Sequence, residues 1–247
     1  MPVLFLSDLH LSPQRPAQIA LFKQFLAGPA RRAEAVYILG DLFEEFWLGD
    51  DDHTPPAEEI MTHLKSCAAH NPNLFFLRGN RDLMVGDDFT RRSGCRLLAD
   101  ETVIQVNQQA ILLLHGDLLC THDLSYQRFR AFMERPVIRK LFLGLPYIIR
   151  KLLARGLRPL MRRDSARKQA AIIDVNEAAV VAAMQRHRVS VLIHGHTHRP
   201  AIHQLQVQGQ PAQRIVLGDW YQNELILVCD GQQKKLLRVQ ELQAASA

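Results

Sequence analysis

Cysteine is scarce in this sequence, with four residues among 247 and no CxxC pair. Secreted scaffolds that depend on disulfides use far more cysteine, and thiolate-bound structural zinc sites need paired cysteines. Both classes are therefore excluded. We expect the four thiols to stay reduced in a cytosolic protein.

Long hydrophobic runs are also missing. The longest covers residues 141–149 and contains Gly144 and Pro146, whereas a membrane-spanning helix needs roughly 20 apolar residues. The apolar N-terminus has no basic lead-in and is interrupted by Asp8, so it lacks the pattern of a secretion signal. We expect no transmembrane helix and no signal peptide.

Positive charge, in contrast, is concentrated in one segment. Residues 128–168 hold 13 Lys/Arg against two acidic residues, a local charge of +11 in a chain whose net charge is +5. Leu, Ile, Phe and Tyr are interleaved with these cations. The composition is typical of a surface that binds phosphates or an anionic membrane, although a solvated helical face has the same charge pattern.

Five short apolar runs share a second pattern, because each ends in Asp, Asn or His. Runs this short and continuously apolar predict strands buried on both faces. The five stretches are Val3–His10, Val36–Asp41, Leu74–Asn80, Ile111–Asp117 and Val189–His196.

The segments between these runs are compatible with helices at residues 16–27, 57–69 and 174–187. Alternating strands and helices predict an α/β fold with a largely parallel sheet. After residue 200 the pattern becomes richer in strands and turns. Here we expect antiparallel strands of a second sheet, at residues 214–217, 224–229 and 235–239.

The polar residues at the strand ends have the composition of a metal site. Ligands of parallel sheets gather at the carboxyl ends of the strands. Asp8 and His10 are two positions apart on an extended chain, so both point to one face. The other strand ends supply further oxygen and nitrogen donors, namely Asp41, Asn80, His115 and the three imidazoles of His194, His196 and His198.

Such a cluster of carboxylates and imidazoles is costly unless its members share a cation. Oxygen and nitrogen donors without thiolate favour Mn, Fe, Zn or Mg, and there are too many donors for one tetrahedral ion. Two metals bridged by one carboxylate, which we predict to be Asp41, activate a water molecule for in-line displacement at phosphorus. The sequence therefore predicts a hydrolase of phosphoesters or phosphoanhydrides.

The order D-x-H, G-D, G-N, H-G-D and G-H-T-H between Asp8 and His198 resembles the calcineurin-like metallophosphoesterases. The resemblance implies a four-layer αββα sandwich of two mixed sheets, formed by a single domain over residues 1–247. It leaves His194 for packing or for support of the ligands. The implied ligands of one metal are Asp8, His10, Asp41 and His198, and those of the other are Asp41, Asn80, His115 and His196.

Longer motifs resemble one branch of that family, which acts in lipid A biosynthesis. They are "LGDLFEEFWLGDDD", "GNRD", "LLHGDLLCTHD", "IIDVN" and "IHGHTHRPAIH". The resemblance implies two Mn²⁺ ions per subunit and hydrolysis of UDP-2,3-diacylglucosamine to UMP and lipid X, by attack of water on the phosphorus next to uridine. It also implies a helical lid at residues 125–168 that holds acyl chains, and peripheral attachment to the cytoplasmic face of the bacterial inner membrane. We expect a monomer that does not bind nucleic acid.

Arg81 departs from the wider family, many of whose members have His after the Gly-Asn pair. Arginine has a pKa above 12 and is a poor proton donor, but its planar guanidinium binds two phosphate oxygens at once. A departing phosphate monoester needs no proton, since its second pKa is about 6. We therefore hypothesise that Arg81 marks the cleavage of an anhydride rather than of an alkyl ester.

Asp82, the next residue, is expected to orient Arg81 or to cap a helix. The resemblance implies roles for other residues. The implied catalytic residues are Asp41, Asn80, Arg81 and His115. The implied substrate contacts are Asn80, Arg81, His196 and, at the glucosamine, Asp123, with Arg158, Ser165 and Lys168 as further candidates for the diphosphate or sugar.

Two other functions are compatible with parts of the pattern. A nuclease or nucleotide phosphodiesterase could use the basic segment to follow a phosphate backbone. The interleaved Leu and Ile residues suit acyl chains better than bases, which stack on aromatic side chains. A scaffold that had lost the chemistry is disfavoured by the complete set of ligands.

Overall fold

The computed structural model describes residues 1–49, 53–156, 174–231 and 233–244. The strands are β1 (Val3–Leu6), β2 (Ala35–Ile38), β3 (Leu74–Phe76), β4 (Arg96–Leu97), β5 (Thr102–Val106), β6 (Gln109–Leu113), β7 (Val191–His194), β8 (Ala201–Val207), β9 (Gln210–Val216), β10 (Leu225–Asp230) and β11 (Gln233–Arg238). The helices are Pro16–Ala27, Pro29–Arg32, Pro55–His70, Asp87–Ser93, Leu124–Met133, Pro136–Leu143, Glu177–His187 and Val239–Ala244, with a further helical stretch at 147–156 and a 3₁₀ turn at Asp117–Leu119.

The strands form two mixed sheets. The six-stranded sheet has the order β11-β10-β1-β2-β3-β4, and the five-stranded sheet has the order β5-β6-β7-β9-β8. In the first sheet β1 to β4 are parallel, and the β10–β11 hairpin extends it antiparallel to β1. In the second sheet β6, β7 and β9 are parallel, with antiparallel β5 and β8 at the edges.

Alternation along the buried strands produces the layers. Leu4 of β1 packs in a core with the helix Pro16–Ala27, whereas its neighbour Phe5 packs in a second core that also contains Ile193 of the other sheet. On the far side, Leu192 packs against the helix Glu177–His187. Because adjacent residues of a strand face opposite sides of a sheet, helices cover both sheets from outside. The predicted four-layer αββα sandwich is confirmed.

The helices predicted between the strands are confirmed, but the prediction for the chain after residue 200 is partly wrong. Of the three strands predicted there, only the one at 214–217 joins the second sheet, as part of β9, and it pairs with β8, whereas β10 and β11 extend the first sheet. The reason lies in the pattern of β10, whose Ile226 packs in the helix-side core while Leu227 packs between the sheets. A strand that is apolar on both faces can cover either open edge, and its sequence does not specify the partner.

The basic segment begins with the helices Leu124–Met133 and Pro136–Leu143 and continues through 147–156. These helices are the described part of the insertion predicted at 125–168. In the parts of the chain that the structure describes, no helix is both long enough and apolar enough to span a membrane.

Arg130 attaches the first insertion helix to the body. Its side chain is 1% exposed, and Nη1 donates to Oδ2 of Asp117, which also accepts a hydrogen bond from the hydroxyl of Tyr126. The other guanidinium nitrogens lie 2.9 Å from Oδ2 of Asp100 and 2.8 Å from Oε1 of Glu134. Burial alone would raise the pKa of Asp117, but Arg130 and His115 lower it to about 2.

Replacement of Arg130 by Met should destabilise the protein strongly, because the Asp117 carboxylate would remain buried without its cation. We expect the free energy of unfolding to fall by about 3–5 kcal/mol, measured by urea denaturation at pH 7. The control is Arg186→Met, which removes the partly exposed ion pair between Arg186 and Glu101, whose charged atoms are 2.7 Å apart. This variant should lose about 1 kcal/mol or less of the free energy of unfolding. Equal losses in the two variants would contradict a structural role for Arg130.

Candidate metal centre

The predicted ligands lie where the carboxyl ends of β1, β2 and β3 in one sheet meet those of β6 and β7 in the other. Asp8, His10, Asp41 and His115 are buried. His198 is at the rim, with 37% of its side chain exposed. Asn80 and His196, which are half-buried, complete the group.

The backbone at this junction is strained. Five of the seven residues have left-handed φ angles between 47° and 70°, namely Asp8, His10, Asp41, His196 and His198. Such conformations cost roughly 1–3 kcal/mol each for residues other than glycine and persist only where the surroundings enforce them. Here the amides of Asp8 and His10 donate to the carbonyls of Gly40 and Asp41 at 3.1 and 3.0 Å. Cross-strand bonds therefore hold the turns that aim these side chains inward.

The first cluster of donors contains Asp8, His10, His198 and one oxygen of Asp41. The Nε2 atoms of His10 and His198 are 3.2 Å apart. Oδ1 of Asp8 lies 3.3 Å from Nε2 of His198, and Oδ2 of Asp41 lies 3.8 Å from Nε2 of His10. Oδ1 of Asp8 is buried and, among the described residues, has no hydrogen-bond partner. Lone pairs that face one another in this way fit a shared cation.

The second cluster contains the other oxygen of Asp41 with Asn80, His115 and His196. Oδ1 of Asn80 lies 3.0 Å from Nε2 of His115 and 2.9 Å from Nδ1 of His196. Oδ1 of Asp41 is 3.7 Å from Nε2 of His115. The Nδ1 atom of His115 is 2.8 Å from the carbonyl oxygen of Leu39. A proton on Nδ1 bonded to that carbonyl leaves Nε2 free as a ligand.

The two clusters also perturb each other's proton affinity. Burial and the charge of Arg81 lower the pKa of His10 to about 3, and burial with the charge of His115 lowers that of His196 to about 4. Burial would lower the pKa of His115 too, but Asp41 and Asp8 raise it to about 9. Burial raises the pKa of Asp41. A cation at the second cluster would take the place of the extra proton that these carboxylates favour on His115.

Glycine at two strand ends allows the second cluster to form. A Cβ on Gly79 would lie 2.4 Å from Oδ1 of Asp41, and one on Gly40 would lie 2.4 Å from the nitrogen of Gly79. Gly40 also has a φ of +86°, which side chains disfavour. The Gly-Asp and Gly-Asn pairs are thus required by the close approach of the two loops.

Asp82 supports Asp41 rather than Arg81. Its buried Oδ2 accepts hydrogen bonds from the amides of Asp41, Leu42 and Gly79, whereas we had expected it to orient Arg81 or cap a helix. Burial and the charge of Asp41 raise the pKa of Asp82 to about 7. These bonds fix the loop that carries the shared carboxylate.

Arg81 lies directly beside the clusters. Its amide donates to Oδ1 of Asp41 at 2.9 Å, and its Nε lies 3.5 Å from Oδ2 of the same carboxylate. Nη1 is 3.0 Å from Oε1 of Glu44, and 26% of the side chain is exposed. The guanidinium is therefore partly exposed at the edge of the centre, beside the carboxylates of Asp41 and Glu44.

Two residues of the centre were missed from sequence. Glu44 pairs with Arg81 and has Oε2 3.8 Å from Nδ1 of His10; it follows Asp41 by only three positions, in an acidic loop. Oδ2 of Asp219 lies 3.3 Å from Nδ1 of His198. Asp219 ends the apolar run of β9 as another Gly-Asp pair, so the strand-end pattern could have identified it.

The remaining predicted residues are placed as follows. His194 is fully buried outside both clusters, 3.4 Å from Nη1 of Arg214. Asp123 caps the helix Leu124–Met133, accepting the amide of Tyr126 at 3.0 Å, and its contact with substrate stays a prediction. Arg158, Ser165 and Lys168 lie outside the described residues.

An apolar cavity of about 180 Å³ opens beside Asn80 and Arg81. One part of its wall comes from the body and the other from the insertion. The body contributes Phe46, Trp47, Leu48, Leu83 and Met84, and the insertion contributes Phe129, Met133, Phe142, Leu153 and Ala154.

Comparison with known proteins finds several similar sequences. A curated UDP-2,3-diacylglucosamine hydrolase of Escherichia fergusonii is 47% identical over 221 residues, which cover 90% of this chain and 92% of the relative. The protein with the same name from Salmonella arizonae is 48% identical over the same shares. The solved structure of a phosphoesterase from Escherichia coli is 16% identical in sequence. The aligned part covers 98% of this chain and 95% of the phosphoesterase, with a TM-score of 0.49. This likeness is too distant to bear on activity.

The motifs at the strand ends lie in the part of the chain that matches a protein family. Residues 1–200, which include every residue of both clusters, match the model of the calcineurin-like phosphoesterases. The chain belongs to the calcineurin-like phosphoesterase family.

Proposed function

We propose that this chain hydrolyses the diphosphate bond of UDP-2,3-diacylglucosamine, with attack of water on the phosphorus next to uridine, and so releases UMP and lipid X in lipid A biosynthesis. The family and the names of the curated relatives support a hydrolase that acts on a diphosphate bond. The observation that carries the lipid assignment is the apolar cavity that opens at Asn80 and Arg81. An apolar space of about 180 Å³ beside the residues proposed to contact the phosphates supports a substrate that carries acyl chains.

The donor sets fit two divalent cations, which we propose to be Mn²⁺ in the cell. All the donors are carboxylate or amide oxygens and imidazole nitrogens. We assign one ion to Asp8, His10, Asp41 and His198, and the other to Asp41, Asn80, His115 and His196. When bound, such a pair supplies the charge that activates water and neutralises phosphoryl oxygens.

The chain's own residues position the reacting groups. Asp41 presents one oxygen to each cluster, and its carboxylate is held by the amide of Arg81. Asn80 and His196, at the edge of the second cluster, are placed to contact the diphosphate. The guanidinium of Arg81 can then bind the departing phosphate of lipid X, which leaves without a proton because its second pKa is about 6.

The insertion has a second proposed use, as a peripheral contact with the cytoplasmic face of the inner membrane. Its outer surface exposes Val137 and Leu141 on one helix, and Ile148 and Leu152 on the next. Each pair is four residues apart and lies on one helical face. Apolar side chains beside exposed cations such as Arg135 are typical of a helix surface that lies at a membrane interface.

We propose that the monomer is the active species.

Hydrolysis in ¹⁸O-labelled water tests the bond assignment. The purified protein with Mn²⁺ and UDP-2,3-diacylglucosamine should place the label in UMP, measured by mass spectrometry, because water attacks the phosphorus next to uridine. Label in lipid X would contradict the assignment.

An unactivated alkyl phosphodiester should react at least about 100-fold more slowly than UDP-2,3-diacylglucosamine, since Arg81 is a poor proton donor for an alkoxide. Comparable rates on the two substrates would refute the role given to Arg81.

Vesicle binding tests the membrane surface. The double variant Leu141→Glu/Ile148→Glu should bind phosphatidylglycerol vesicles at least about tenfold more weakly in a sedimentation assay, because burial of such side chains contributes about 1.5–3 kcal/mol each. The matched control is Val103→Glu, which places a charge at an exposed apolar position of β5. Equal binding by the double variant and the control would place the membrane contact elsewhere.

A further inference from the structure

Two further arginines of the basic segment, besides Arg130, point inward rather than to solvent. Nη1 and Nη2 of Arg139 donate to the backbone carbonyls of Leu83 and Val85, the second bond being 2.8 Å long. Arg150 is only 2% exposed, and its Nη1 donates to the carbonyl of Leu48 at 2.6 Å. Part of the positive charge in this segment is therefore used inside the protein.

Two of the three carbonyls belong to residues of the cavity wall, Leu83 in one part and Leu48 in another, and Val85 directly follows the wall residue Met84. The two parts of the wall are also joined to each other, because the amide of Trp47 donates to the carbonyl of Arg81 at 2.8 Å. The body thus offers one connected rim on which the insertion rests.

Each arginine lies on a helix that supplies the opposite side of the cavity. Arg139 is in Pro136–Leu143, which contributes Phe142, and Arg150 is in the 147–156 stretch, which contributes Leu153 and Ala154. Both helices are largely exposed on their outer faces. Charge-assisted bonds to backbone carbonyls are among the stronger hydrogen bonds of proteins, so these contacts set how far each helix stands from the rim.

We propose that Arg139 and Arg150 are positioning residues that set the width of the apolar cavity and, through it, the affinity for the acylated substrate. Neither is assigned a contact with the reacting phosphorus. The assignment of the cavity to acyl chains rests on the proposed function. The two carbonyls are bonded by two different nitrogens of one rigid, planar guanidinium, that of Arg139, a fixed geometry that the single ammonium of lysine does not reproduce.

The test compares Arg139→Met and Arg150→Met with Lys140→Met and Arg155→Met. The control residues are exposed cations of the same helices, so all four variants lose the same charge. The inward variants should raise the KM for UDP-2,3-diacylglucosamine by about tenfold, with kcat and the hydrolysis of bis(p-nitrophenyl) phosphate changed less than about twofold. The controls should leave KM within about twofold. A KM for the inward variants equal to that of the controls would overturn the proposal, as would an equal loss on both substrates.

A second measurement separates this proposal from the proposed function and does not depend on hydrolysis. Binding of a fluorescent fatty acid should weaken about tenfold in Arg139→Met but not in Lys140→Met. Suppose that the wild type fails to hydrolyse the UDP-lipid, while Arg139→Met binds the probe more weakly than Lys140→Met does. The proposed function would then be refuted, and the positioning role of Arg139 would stand. Equal probe binding would overturn the role. Should Arg139→Met not fold, judged by thermal unfolding, Arg139→Lys replaces it and should weaken probe binding relative to Lys140→Arg.

Discussion

The carboxylate of Asp41 is the constraint on which the rest of the centre depends. Its two oxygens face two separate donor clusters, one with His10 and the other with His115. This position is possible only because the loop after β2 turns sharply and because Gly79 has no side chain in the way. The amides of Asp41 and Leu42 in the same loop donate hydrogen bonds to Asp82, and these bonds hold the carboxylate of Asp41 in place.

The two-sheet architecture explains how such an arrangement can be stable. No single sheet could bring five strand ends around one carboxylate, whereas two sheets packed face to face direct them to a common junction. The strained residues and buried charges at the junction are unfavourable in isolation. The cores on both faces of each sheet, together with the cross-strand bonds at Asp8 and His10, hold the junction together. Bound cations would relieve the remaining electrostatic cost.

Much of this could be predicted from sequence, for a physical reason. A strand buried on both faces must be apolar throughout, so a polar residue at its end stands out, and this pattern located Asp8, Asp41 and Asn80. The pattern does not name a strand's neighbour, which is why the β10–β11 hairpin was assigned to the wrong sheet. It also does not reveal burial of cations. In the sequence Arg130 and Arg150 cannot be distinguished from surface cations. Only the packed structure shows that they are buried and bonded, to Asp117 and to the carbonyl of Leu48.

The most direct measurement is anomalous diffraction from crystals of the Mn-loaded protein, with data collected at the manganese edge. We predict two peaks roughly 3.5–4 Å apart, with one oxygen of Asp41 bound to each. A single peak, or two peaks of which Asp41 contacts only one, would contradict the account.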